Sequence, residues 1–202
     1  MKKTILLMAT ILLISMSAFS QKGFMHSAGY GFYYGVGKIS TDDTTGMSLI
    51  YRPTLSFNSG VYYPRINLSD SRDNNFSIGA PIALGFSGSF SSSSGSSFSF
   101  GLDLPVMFDY SFGHGSAERN KDGFGGFIGA GFGYTLSSYS YESWYGNVSE
   151  TASTAGPAFH AGIRFPLSIK GNDMSYTIRF MYKLGLDENR FKVFGFSILV
   201  NL

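Results

Sequence analysis

The sequence predicts an all-β protein: an eight-stranded antiparallel up-and-down transmembrane β-barrel. Three observations carry that expectation. Apolar and aromatic side chains recur at every second position over most of the 202 residues, the period of a strand rather than a helix. The alternation falls into eight blocks separated by clusters of Gly, Ser, Asn and Asp, the residues that break strands and make turns. The second face of each block is mostly Gly and Ser with a few charges, and only 14% of the chain is charged, against roughly 25% in an average soluble domain.

The chain opens with Lys2 and Lys3, an apolar run from Ile5 to Ile14 and the triplet Ala18-Phe19-Ser20. That is the pattern of a secretory signal peptide cut after Ser20. Residues 1–20 are therefore expected to be a leader and 21–202 the barrel domain. The apolar run is short for a bilayer span, which needs about 20 apolar residues, and no later stretch is a transmembrane helix. Without Lys2 and Lys3, 13 basic side chains balance 13 acidic ones, which disfavours a nucleic-acid partner. There is no Cys, so disulfide scaffolds, thiolate zinc sites and iron–sulfur clusters are excluded.

The blocks follow in order. The first, 28–37, sets Tyr30, Phe32, Tyr34 and Val36 against Gly29, Gly31, Tyr33 and Gly35. The second, 47–58, sets Met47, Leu49, Tyr51, Pro53, Leu55 and Phe57 against Ser48, Ile50, Arg52, Thr54 and Ser56. In the third, 76–90, Phe76, Ile78, Ile82, Leu84 and Phe86 oppose Ser77, Gly79, Pro81 and Gly85. The fourth decides the matter: Phe98, Phe100, Leu102, Leu104, Val106, Phe108, Tyr110 and Phe112 alternate with Ser99, Gly101, Asp103, Pro105, Met107, Asp109 and Ser111. A helix would scatter these around its whole circumference. The fifth (124–138), sixth (155–169), seventh (174–186) and eighth (191–202) repeat the pattern. On their second faces lie Phe127 and Thr135, then His160 and Arg164, then Arg179 and Lys183, and finally Ser197 and Leu199.

Two barrels share such alternation with opposite faces inward. A soluble barrel packs its apolar face inside; a membrane barrel turns it to lipid. A Gly- and Ser-rich, charge-poor face makes a poor aqueous surface and suits the narrow interior of eight strands. The apolar ladder is therefore expected to face lipid. The blocks are also long enough for the 9–11 tilted residues that cross a bilayer.

With its leader, its eight alternating blocks and its amphipathic last strand, the chain resembles the small outer-membrane β-barrel family, whose architecture is that of the membrane part of outer membrane protein A. The resemblance covers roughly 24–202. It implies the outer membrane of a diderm bacterium, outer-membrane lipids as surroundings, a monomer, and recognition of the C-terminal strand by the barrel-assembly machinery. Phe194, Phe196, Ile198 and Val200 fit such a terminal signal, but the last residue is Leu202 rather than an aromatic. Residues 59–75 also depart, being long for a periplasmic turn; the alternative is that they extend the second and third strands, with Val61-Tyr62-Tyr63 at the interface. Parity places 38–46, 91–96, 139–153 and 187–190 outside, with 59–75, 113–123 and 170–173 on the periplasmic side.

The candidate chemistry is sparse. Arg52, Asp103, Asp109, Arg164, Arg179 and Lys183 fall on the inward face, and ionisable groups at membrane depth are functional candidates. They read as a salt-bridged plug, with a narrow ion-conducting pore as the alternative. His26, His114 and His160 show no metal-ligand spacing; His160 with a lumenal serine is the one arrangement that suits the other alternative, an outer-leaflet lipid-modifying enzyme. The glycines from Gly123 to Gly133 lack the helix a dinucleotide fingerprint needs. No catalytic, cofactor or metal residue is assigned, and a non-enzymatic structural or surface-interaction role is expected. Tyr139, Tyr141, Trp144 and Tyr145 are the candidates for an outer contact, or for part of an interfacial aromatic girdle.

Overall fold

The computed structural model describes residues 23–39, 50–69, 71, 73–91, 95–117, 120–121, 123–143, 146–169, 172–186 and 191–202. Within these, side chains at 37–39, 50–56, 87–91, 95–97, 139–143, 146–150, 168–169 and 172–173 are not described. The segment read as a leader lies outside the described residues.

The strands are β1 (Phe24–Ile39), β2 (Ile50–Asn67), β3 (Asn74–Gly79), β4 (Ile82–Ser91), β5 (Gly95–Gly113), β6 (Gly125–Ser143), β7 (Gly146–Ile169), β8 (Asn172–Leu184) and β9 (Lys192–Asn201). All pairs are antiparallel, and β1 pairs with both β2 and β9, so the sheet closes on itself. Closure removes the sheet edge that lipid could not satisfy. Nine segments fill eight positions because β3 and β4 share one, both lying between β2 and β5. The interruption falls at Ala80-Pro81. Pro81 has no N–H for a ladder, so the single strand expected over 76–90 is broken there without changing its faces.

The outward face is the apolar ladder. Val106 and Ile128 are 60% and 61% exposed, and Phe76, Phe108, Phe132, Phe159, Phe180 and Ile198 project the same way. Neighbouring strands match their rings: Phe180 lies opposite Phe196 at 5.1 Å and Tyr182 opposite Phe194 at 5.2 Å. Such cross-strand aromatic pairs each contribute about 0.5–1 kcal/mol. The core lies in the lumen, where Tyr33, Phe57, Val61, Tyr63, Met181, Val193 and Leu199 pack together.

Two expectations need correction, and one alternative is decided. Most of 59–75 extends the flanking strands: β2 runs on to Asn67, leaving a short connection to β3 at Asn74, as periplasmic turns prefer. Phe57, placed on the lipid face by its alternation with Leu55, is buried in the lumen. Gly35 pairs with Leu55 but Val36 with Pro53, so Thr54 is an extra residue. A bulge of one residue shifts the alternation by one. Finally, 139–153 is not an open loop, because β6 and β7 stay paired as far as Ser143 and Gly146. β7 meanwhile meets β8 only from Ala158 on.

Candidate functional site

The closed ring points the inward positions of β5, β6, β7 and β8 at one another, and the lumen charges assemble into four groups, the last of them at the floor. In the first, Asp103 of β5 sits beside Thr135 of β6 in register. Lys183 of β8 ion-pairs with Asp103 Oδ1. It also donates to Thr135 Oγ1 at 2.6 Å, and the threonine hydroxyl donates to Asp103 Oδ1 at 2.6 Å. All three are fully buried. A buried pair of this kind repays its desolvation only while both partners stay.

Arg179 makes the second group. Its Nε donates to Ser197 Oγ at 3.0 Å and its Nη2 to the Tyr33 hydroxyl at 2.7 Å. The Tyr33 ring lies parallel on Phe57, 5.1 Å away and 4° from coplanar. The misplaced Phe57 thus packs the ring that holds the guanidinium.

The third group is a row across three strands. Asp109 of β5 pairs with Gly129 of β6, which pairs with His160 of β7. Because the middle residue has no side chain, the outer two meet over it, with His160 Nε2 2.5 Å from Asp109 Oδ1. Tyr63 donates to Asp109 Oδ2 from across the lumen. An ionised carboxylate accepts only, so Nε2 carries the proton. Nδ1 has no hydrogen-bond partner and is buried. Phe127 meets the imidazole edge-on at 5.0 Å. The dyad is oriented like a base and its carboxylate, but Nδ1 bonds no hydroxyl nucleophile.

Gly129 is the hinge of this arrangement: a Cβ there would run into Asp109 Oδ1 and His160 Nε2. Gly129→Val is expected to destabilise the barrel by about 2–4 kcal/mol through overpacking and the lost hydrogen bond. Urea midpoints of folded protein in detergent, followed by gel mobility, measure it. An unchanged midpoint would show that the row is not packed as described.

Below the row one end of the barrel, the end expected to face the periplasm, is closed by the connection between β5 and β6. Gly115 adopts a left-handed φ of 66°, which turns its carbonyl inward to accept from Arg65 Nη2 at 2.5 Å and Arg164 Nη1 at 3.0 Å. Arg164 also lies over the Phe127 ring at 4.5 Å. His114 Nε2 is 2.7 Å from Ser175 Oγ, and Asn67 Nδ2 donates to the Ser116 carbonyl at 3.1 Å. His114, Ser116 and Asn120 are buried, so this turn is a floor rather than a solvated loop.

The structure therefore places Asp103, Asp109, Arg164, Arg179 and Lys183 in the lumen, all fully buried. Arg52 lies in β2 at a position whose side chain is outside the described residues, as are the side chains of Tyr139 and Tyr141 at the end of β6. Trp144 and Tyr145 fall outside the described residues altogether. Arg65, Tyr63 and Tyr33 were missing from the expected network. Arg65 and Tyr63 sat in the stretch taken for a connection, and the continued alternation Val61, Tyr63, Arg65 was the signal that could have found them.

No protein-family model matches the sequence, and no curated protein is recognisably similar to it. Solved structures do match. The crystal structure of Ail, the attachment invasion locus protein of Yersinia pestis, aligns with a TM-score of 0.52 at 15% identity, covering 90% of this chain and 98% of that one. The chain has the fold of the small outer-membrane β-barrels. The same Yersinia pestis protein in complex with the heparin analogue sucrose octasulfate aligns with a TM-score of 0.51 and 15% identity, over 90% and 98% of the two chains. The outer membrane protein OprG from Pseudomonas aeruginosa follows at 0.47 and 11%, over 89% and 93%. A small outer-membrane barrel fold accounts for the apolar exterior and for a lumen that holds the charges; at such identity the likeness speaks to fold and not to role.

Proposed function

We propose that this protein is a monomeric integral outer-membrane barrel with a filled lumen, serving as a structural and surface-contact element rather than as an enzyme or a pore. The observation that carries the reading is the lumen itself. Arg164, Arg179, Tyr33, Tyr63, Phe57, Phe127 and Lys183 are all less than 2% exposed within it, and eight strands enclose about the width that side chains fill. The surroundings are outer-membrane lipids, and β9, with Phe194, Phe196 and Ile198 outward, suits recognition by the barrel-assembly machinery. The outer contact falls to the segment joining β6 and β7, whose sequence includes Tyr139, Tyr141, Trp144 and Tyr145.

Cell fractionation combined with gel mobility of unheated and boiled samples tests the reading. Recovery in the outer membrane with a mobility shift on boiling is expected; a soluble product without a shift would overturn it. In planar bilayers, no unitary current steps are expected. Reproducible steps lost in Arg179→Ala would replace the plug by a pore. Unchanged lipid A mass spectra in His160→Ala cells and wild type are expected for a protein without lipid-modifying activity.

The sulfated ligand bound by Ail is not expected here. The outward connections carry Lys38 and Arg190 against Asp42, Asp43, Glu142, Glu150, Asp187 and Glu188. An acidic rim repels a polyanion, so the folded barrel should pass through immobilised heparin at physiological salt; retention there would move the contact to a basic patch.

A further inference from the structure

Among the described residues, the floor of the lumen holds more positive charge than the side chains there neutralise. Arg65 and Arg164 are 3% and 1% exposed, and both donate to one acceptor, the Gly115 carbonyl. A carbonyl offers lone pairs but no net charge. Arg65 Nε and Arg164 Nη2 are buried and bond to nothing. Asp103 is engaged by Lys183, whereas Asp109, hydrogen-bonded by Tyr63 and His160, is the one carboxylate whose charge acts on both Arg65 and Arg164. Among the described residues neither arginine is in direct ion-pair contact with a carboxylate. A lysine or histidine so placed could shed its proton, but a guanidinium stays charged. One carboxylate set against two buried guanidiniums leaves a positive charge uncompensated among the described residues, which is costly.

We propose that Arg65 and Arg164 together bind a small monovalent inorganic anion, chloride under ordinary conditions, beneath the inturned Gly115. Two planar guanidiniums from opposite strands meet at the Gly115 carbonyl and leave Arg65 Nε and Arg164 Nη2 with protons to donate. The neighbourhood is tight, with Phe127 under Arg164 and Tyr63 beside Phe127, which favours a compact sphere over a tetrahedral oxyanion. The ion would tie β2 to β7 and hold the β5–β6 turn in the periplasmic mouth, because the same arginines grip that turn.

Chloride-35 NMR of the folded full-length protein in detergent, titrated with chloride from a gluconate buffer, tests this. Saturable line broadening is expected, displaced by bromide, lost in Arg164→Gln and kept in Arg179→Gln. Should Arg164→Gln not fold, the wild-type protein still decides. Its thermal midpoint, read by gel mobility at constant ionic strength, should be about 5 °C higher in chloride or bromide than in gluconate. Equal midpoints and no saturable broadening would overturn the proposal. Stabilisation by sulfate but not chloride would overturn the monovalent assignment, and equal loss in Arg179→Gln would overturn the location.

Discussion

Val106→Arg is expected to cost about 2–4 kcal/mol of folding stability in a bilayer, whereas Phe124→Arg should cost only about 0–1 kcal/mol. Both side chains project outward, Val106 from the middle of β5 and Phe124 from just before β6 at the periplasmic rim. The guanidinium at Val106 has no water to solvate it and too short a stem to reach the interface. At the rim the same group lies among headgroups. Unfolding titrations in lipid vesicles compare the two. A depth-dependent cost marks the apolar ladder as the lipid face. Near-zero cost at both positions would mean that water covers this face, and the assignment of the barrel to a membrane would fail with it.

Asp103→Ala should be at least as damaging for the opposite reason. It leaves the Lys183 ammonium buried with only Thr135 as partner, and breaking a buried pair from one side costs about 3–5 kcal/mol. Replacing both partners together, Asp103→Leu with Lys183→Met, should recover most of that loss. Asp103 Oδ2 has no hydrogen-bond partner, so the pair is imperfectly satisfied and an apolar substitute of similar volume competes well. A double-mutant cycle on urea midpoints in detergent measures the coupling. If the two single costs simply add, the groups do not interact and the plug is not held together by this contact.

The strand periodicity was legible because lipid and lumen impose opposite demands on successive residues. Along β5 nothing else explains eight apolar side chains at alternate positions, and the structure keeps every one of those faces where it describes the side chain. The same reasoning went wrong at Phe57, one bulge away, because alternation carries a phase but no marker of where the phase slips. Inward charges were readable as inward on β5, β7 and β8. Their partners were not, since a sequence shows the residues of one strand and the pairs lie across several. Asp103 and Lys183 are separated by 80 positions, and the Asp109–Gly129–His160 row exists only through the register of three strands.

What the sequence determined by itself is the class of the molecule, since period-two patterning with a small or polar second face is a local property of each block, and counting the blocks gives their even number. What only the tertiary structure decided is which charges meet. Closing the ring sets the register, and a shift of one residue would send every inward side chain to the lipid. Closure brings Lys183 to Asp103, His160 to Asp109 across Gly129, and Arg65 with Arg164 to the Gly115 carbonyl. Contacts of that kind depend on distances through the lumen, and no pattern along a single strand encodes them.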